Sequence, residues 1–328
     1  MQRAAVLSTH PEAHEVAEEV LRDSGSAMTA ALAGFFAAAG GETGVLFSPL
    51  TVLVAAGGAG VRVFDGRCRQ PGLGAKRPRG FLPGEAIPGA AYAPVPGSVA
   101  AALVACAYTP GTSVTAVVRR GIAAARKSGA PRRAAVLDRV SSLGAGFLAD
   151  GLVRGPLLGE LGPAQGGLVS LGDLAPPREI DRPAVDVDGL WLAPWAVSDI
   201  ASGATPSEGE PAEERSVASA AQAAENHVLC AVDVHGRFVG LAFQRWRDGL
   251  QLPDLELLLP RLAVPVRRGV PRVDPGAPLP APAPLGIRRD ASGQAVELVA
   301  SPSSLHLAEP ELTLFRDPST LEVSVRRS

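Results

Sequence analysis

The run from Ala27 to Ala39, AMTAALAGFFAAA, is the strongest constraint in this chain of 328 residues. Ser24-Gly25-Ser26 precedes it and Gly40-Gly41 closes it, a frame that predicts a helix. It is apolar all round, so it must be buried. Residues 11–23, PEAHEVAEEVLRD, predict a helix of the opposite kind. Pro11 sits in its first turn, acidic residues crowd its start, Arg22 comes late, and Ala13, Val16, Ala17, Val20 and Leu21 recur at helical spacing.

Beyond Gly41 the pattern changes. LFSPLTVLVAA and VRVFD read as strands of a hairpin around Gly57-Gly58-Ala59-Gly60, and residues 70–97 as a Gly/Pro-rich loop. Residues 98–107, 113–127 and 131–150 read as Ala-rich helices. Residues 185–193 form a strand pair about Asp188-Gly189, and HVLCAVD with RFVGLAFQ flanks a turn at His235-Gly236. ASGQAVELVAS holds another turn and strand, and LEVSVRR an edge strand. Residues 198–224 are polar and without periodicity, which predicts a flexible linker. Helices dominate the first half and hairpins the second, the mark of an α+β layered sandwich and not of a βαβ repeat.

Composition narrows the function classes. The 31 basic and 33 acidic residues leave a net charge of −2, which argues against a nucleic-acid binder. Neither a Gly-x-Gly-x-x-Gly nor a P-loop motif occurs, so no nucleotide cofactor is expected. Three scattered cysteines, Cys68, Cys106 and Cys230, are too few for a disulfide framework and point to a reducing, cytoplasmic setting. His10 and His14 have helical i, i+4 spacing, but no third ligand lies near, so no metal is expected. No membrane span or signal core is expected either.

Several short motifs resemble, in order, those of the gamma-glutamyltranspeptidase family. They are Ser8-Thr9-His10-Pro11-Glu12-Ala13, Val20 to Ala31, and Phe64-Asp65-Gly66-Arg67 followed by Pro71. Val95 to Ala100, Gly166 to Leu174, Val232-Asp233-Val234-His235-Gly236, Pro278 to Ala281 and Ala300 to Ser304 continue the series. The pattern is departed from at Ser24 and Thr29. The resemblance implies a four-layer αββα sandwich of the N-terminal-nucleophile hydrolases, here with a reduced helical lobe. It also implies a single domain, with residues 1–197 as a large-subunit-like part and 225–328 as a small-subunit-like part. In that family a precursor cuts itself, and the freed threonine attacks a γ-glutamyl amide with its own α-amine as base.

The position that the resemblance assigns to this threonine, seven residues before Asp233, is Asn226. A one-residue insertion would move it to Glu225, and no Thr occurs between Thr205 and Thr313. The pair expected to be serines is Pro280-Ala281, and the oxyanion-hole glycine pair is Ser303-Ser304, whose backbone N–H groups could still donate. Arg67 remains as the residue that would clamp a substrate carboxylate, against the alternative of an Arg that holds its own loop. Cys230 is a weak substitute nucleophile, with His227 and His235 as candidate bases, but its place within a strand favours a buried structural thiol. Asp186 and Asp188 read as a polar strand face, and Trp191 and Trp195 as packing anchors. The resulting expectation is a degenerate transpeptidase-like protein, a binding or scaffolding subunit with a protein partner or a second copy. The alternative is an amide hydrolase with a substitute nucleophile.

Overall fold

The computed structural model describes residues 3–56, 60–76, 78–197, 224–303, 307 and 309–328. The expected linker therefore lies outside the described residues, apart from Ala224, which is already paired with Trp246 in a strand.

In chain order the elements are β1 (Ala5–Ser8), α1 (Pro11–Ser24), α2 (Ala27–Gly41), β2 (Leu50–Ala55) and β3 (Val61–Gly66). A helical stretch follows with α3 (Ser98–Tyr108), α4 (Val114–Lys127), α5 (Pro131–Leu143) and α6 (Gly151–Leu161). Then come β4 (Asp181–Pro183), β5 (Val185–Val187), β6 (Leu190–Leu192), β7 (Ala224–Val232), β8 (Phe238–Trp246), β9 (Leu250–Leu252) and β10 (Leu257–Leu259). The last four are β11 (Leu285–Arg289), β12 (Ala295–Ala300), β13 (Leu312–Arg316) and β14 (Val323–Arg327).

Two antiparallel six-stranded sheets stack face to face. The first has the order β1-β7-β8-β2-β3-β4 and the second β14-β13-β12-β11-β6-β5. Alternation along β7 sets the layers: Val228, Cys230 and Val232 enter the core between the sheets, while Leu229 and Ala231 face the helices. Both faces of β7 and β8 are covered, which is why these strands read as nearly continuous apolar runs.

The buried helix is α2, and it lies where its composition demands. Phe35 and Phe36 are fully buried, with Phe35 set edge-on to Phe243 of β8 at 5.6 Å between ring centroids. Its outer side is roofed by α1 and α4. A side chain at Gly40 would strike the Gly121 backbone, and one at Gly121 the Phe36 carbonyl, so two glycines let the α2 and α4 backbones touch.

Three details depart from the sequence expectation. The helix expected over 131–150 stops at Leu143, because Gly144 takes φ 61°, and a 3₁₀ turn follows. Residues 151–161 then form α6 although Pro156 stands inside it; the Asp150 carboxylate caps it by accepting from the Leu152 amide at 3.1 Å. β11 and β13 pair on either side of β12, although their short LGIRR and LTLFR runs carry arginines. The Asp188-Gly189 turn has φ 53° and 79°, the left-handed pair that a tight hairpin needs.

Candidate functional site

The strand register carries two of the expected site residues, Asn226 and Arg67, toward one end of the first sheet. Thr51 pairs with both Asp65 and Ala242, and Ala242 pairs with Val228. This row faces the second sheet. One step further toward the same end, on the same face, stand Asn226 and its ladder partner Gln244.

Asn226 is held by a polar relay. Trp246 Nε1 donates to Gln244 Oε1 at 3.1 Å, and Gln244 Nε2 donates to Asn226 Oδ1 at 3.1 Å. The strand also continues upstream of Asn226. Ala224 and Glu225 are paired with Trp246 and Arg245, and the Glu225 carboxylate meets Arg247 at 2.5 Å and Arg245 at 3.5 Å. In the unbroken chain the Asn226 nitrogen is an amide within a ladder, not an amine that can act as a base.

Arg67 is engaged by its own loop. Its Nε and Nη2 each donate to an Asp65 carboxylate oxygen at 2.9 Å, and its guanidinium carbon lies 4.0 Å from the Trp195 ring centroid. Asp65 is fully buried and also accepts from the Arg67 backbone N–H at 3.1 Å. This bidentate fork is the one that would grip a substrate carboxylate. Between Thr51, Trp195 and the segment from Ala281 to Leu285 lies a space of ≈ 30 Å³, room for a water or two. Ala281, where the resemblance called for a serine, lines this space with a methyl and offers no hydroxyl.

Ser303 is exposed at this end, and both its amide and its hydroxyl donate to the Glu311 carboxylate, the amide at 2.9 Å. That amide is spent and is not poised for an oxyanion. Ser304 lies outside the described residues. Cys230 points into the core between the sheets, where burial pushes its thiol far above the ordinary range. His227 is three residues away on the opposite face, so it cannot serve Cys230 as a base. His235 is exposed in the hairpin turn. Asp186 closes its turn by accepting from the Gly189 amide at 2.8 Å.

A second polar cluster, on the helix side of β7, went unread in the sequence. His10 caps α1 by accepting the Ala13 N–H on Nδ1, and its Nε2 lies 3.3 Å from Glu42 Oε1. Its ring packs edge-on against His227 at 4.9 Å between centroids. His227 Nδ1 meets the Thr9 hydroxyl at 3.4 Å, and its Nε2 lies 3.9 Å from Glu225 Oε2. Burial, then the neighbouring His10, pushes the His227 imidazole down to about 4. Burial pulls Glu42 upward, but the hydrogen bond and charge of His10 with the charges of Arg245 and His227 leave its carboxyl below the ordinary value. The spacing of Thr9, His10 and His227 gives no hint of this cluster. Pairing of β1 with β7 creates it, with the Val228 N–H donating to Thr9 Oγ1 at 3.0 Å. Among the described residues, no group of three or more His, Cys, Asp or Glu could hold a metal, and no helix is long and apolar enough to cross a membrane.

Solved structures share this arrangement. A form of LmbA2991 superposes with a TM-score of 0.68 over 99% of this chain and 96% of its own, at 14% identity. Cephalosporin acylase from Bacillus halodurans matches with a TM-score of 0.63 over 89% of this chain and 76% of its own, also at 14% identity. The fold is that of the N-terminal-nucleophile hydrolases. A gamma-glutamyltranspeptidase from Pseudomonas nitroreducens, complexed with L-DON, also matches, at 20% identity over 66% of this chain and 83% of its own, with a TM-score of 0.46. No protein-family model and no curated protein sequence matches.

Proposed function

We propose that this N-terminal-nucleophile-hydrolase fold has been retained without its amide chemistry, and that the chain works as a binding or scaffolding subunit in the cytoplasm. One observation carries the reading. Asn226 stands at the end of β7 where the resemblance assigns the nucleophile, with its amide in a ladder and its side chain held by Gln244. The closing of Arg67 on Asp65 supports it. A protein partner or a second copy belongs to the same reading, supported by the exposed apolar side chains Val185 and Phe315 on strands of the second sheet. Intact mass and turnover test the chemistry. The purified chain should run as one species near 33.5 kDa, and a γ-glutamyl anilide should not be hydrolysed above a buffer blank. Two stoichiometric fragments, or turnover that disappears on denaturation, overturn the reading.

The rival, an amide hydrolase with a substitute nucleophile, is favoured by Thr9. Its hydroxyl, the neutral His227 imidazole and the Glu225 carboxylate follow one another in the order of a nucleophile, a base and its orienting group. Amide turnover abolished by Thr9→Val would establish it.

A further inference from the structure

A second hollow, of ≈ 420 Å³, opens beside this end of the sandwich between the loop at Gln70–Leu73, the turn at Val95-Pro96 and the segment Gly172–Arg178. That volume is in the range of small-molecule sites. Buried Val95 and Leu148 and the half-exposed Leu73, with Pro96, Pro176 and Pro177, give it largely apolar walls.

Its charges are unbalanced. The Asp173 carboxylate is saturated by backbone: Gly72 N–H reaches both its oxygens at 3.0 and 2.9 Å, Leu73 N–H donates at 2.9 Å and Ser170 N–H at 2.8 Å. Gln70 is equally committed, donating to the Val264 carbonyl and accepting from the Val264 amide. Arg69 is not. Its side chain is 16% exposed, its Nε and Nη2 are buried without a hydrogen-bond partner, and Asp65 Oδ2 lies 4.0 Å away with both oxygens already given to Arg67. Nη1 makes only a 3.4 Å contact with the Gly276 carbonyl. Arg178 is exposed at the margin and makes no ion pair or hydrogen bond among the described residues. A mostly buried guanidinium with unused donors is costly unless an anion or water completes it. Here it adjoins an apolar hollow with the guanidinium of Arg178 at its rim.

We infer that this hollow binds a small amphipathic carboxylate, its apolar body against Leu73, Leu148 and the prolines and its charge facing Arg69 and Arg178. This site is separate from the position of Asn226, and the inference holds whether or not the chain hydrolyses an amide.

The probe is 4-phenylbutyrate, titrated into the whole protein by calorimetry beside its neutral isostere 4-phenylbutyramide. The carboxylate should bind with a Kd on the order of 0.1–1 mM and the amide at least ~5-fold more weakly, since only the acid can pair with a guanidinium. Arg178→Gln, an exposed change that does not endanger the fold, should weaken the acid about fivefold and leave the amide unchanged. Ala175→Trp, on the exposed wall, should block both, while Arg326→Gln on β14 should alter neither. Equal binding of acid and amide, an Arg178→Gln titration that matches the wild type, or no saturation by ~5 mM would each overturn the assignment.

Discussion

Replacing Arg67 by Met separates two roles for this residue. If Arg67 waits for a ligand, its removal costs the fold little and abolishes carboxylate binding. If it completes Asp65, the cost falls on stability. Asp65 is fully buried and the Arg67 side chain is 11% exposed, so the pair is nearly dry. Breaking such a pair from one side costs about 3–5 kcal/mol, because the remaining charge is left unpaired. Two features reduce that here. The residue-67 backbone N–H still donates to Asp65 Oδ1, and Arg69 Nη2, now at 4.0 Å, needs to move only about an ångström to donate as well. The expected loss for Arg67→Met is therefore about 2–3 kcal/mol. Asp65→Asn should cost less, since Arg67 keeps its stacking on Trp195. The double variant should cost well under the sum, with a coupling of about 2 kcal/mol. Urea unfolding of the four proteins measures this cycle, with unchanged slopes as the check that only stability moved. An Arg67→Met protein within about 0.5 kcal/mol of wild type, or additive single changes, would refute the account of Arg67 as an internal counter-ion.

Three further outcomes follow from the same contacts. The His227 imidazole, pushed down to about 4 in the fold, is protonated first in the unfolded chain, at about 6.5; its contribution is complete above pH 6.5 and is lost as pH falls toward 4, on the order of 3 kcal/mol. His227→Gln should flatten stability across that window, and identical pH slopes for variant and wild type between pH 7 and 4.5 would contradict the burial argument. Gly121→Ala should destabilise by about 2 kcal/mol in a urea melt despite its better helix propensity, because the new methyl meets the Phe36 carbonyl across the α2–α4 contact; a neutral or stabilising result would mean that the helices can part cheaply. All three thiols are free and buried, with burial pushing Cys106 up to about 11 and Cys68 and Cys230 further; iodoacetamide should leave the native protein unlabelled and add three groups in urea, and labelling of Cys230 in the native state would restore it as a nucleophile.

The layers were legible because burial writes itself into composition. An all-apolar α2 needs cover on every side, and two-face burial turns β7 and β8 into runs of LCAV and FVGLAF. Where the chain is held by a few directed bonds, the pattern was silent. α6 depends on the Asp150 cap and a tolerated Pro156, and β11 and β13 on pairing with β12. The candidate site divides along the same line. Arg67 and Asn226 are singled out by the resemblance alone, and the strand register sets them toward one end of the first sheet. What each does could not be read there, because Asp65, Trp195 and Gln244 reach them through side-chain geometry. Asp65 and Arg67 stand two apart at a strand end, a spacing that allows them to point the same way, but an identical spacing serves a clamp open to ligand. The difference lies in whether the acid is buried beside the base and whether a ring such as Trp195, from over a hundred residues away, stacks on the guanidinium. The Thr9–His227 contact is still less local, since it exists only because β1 pairs antiparallel with β7 across more than two hundred residues.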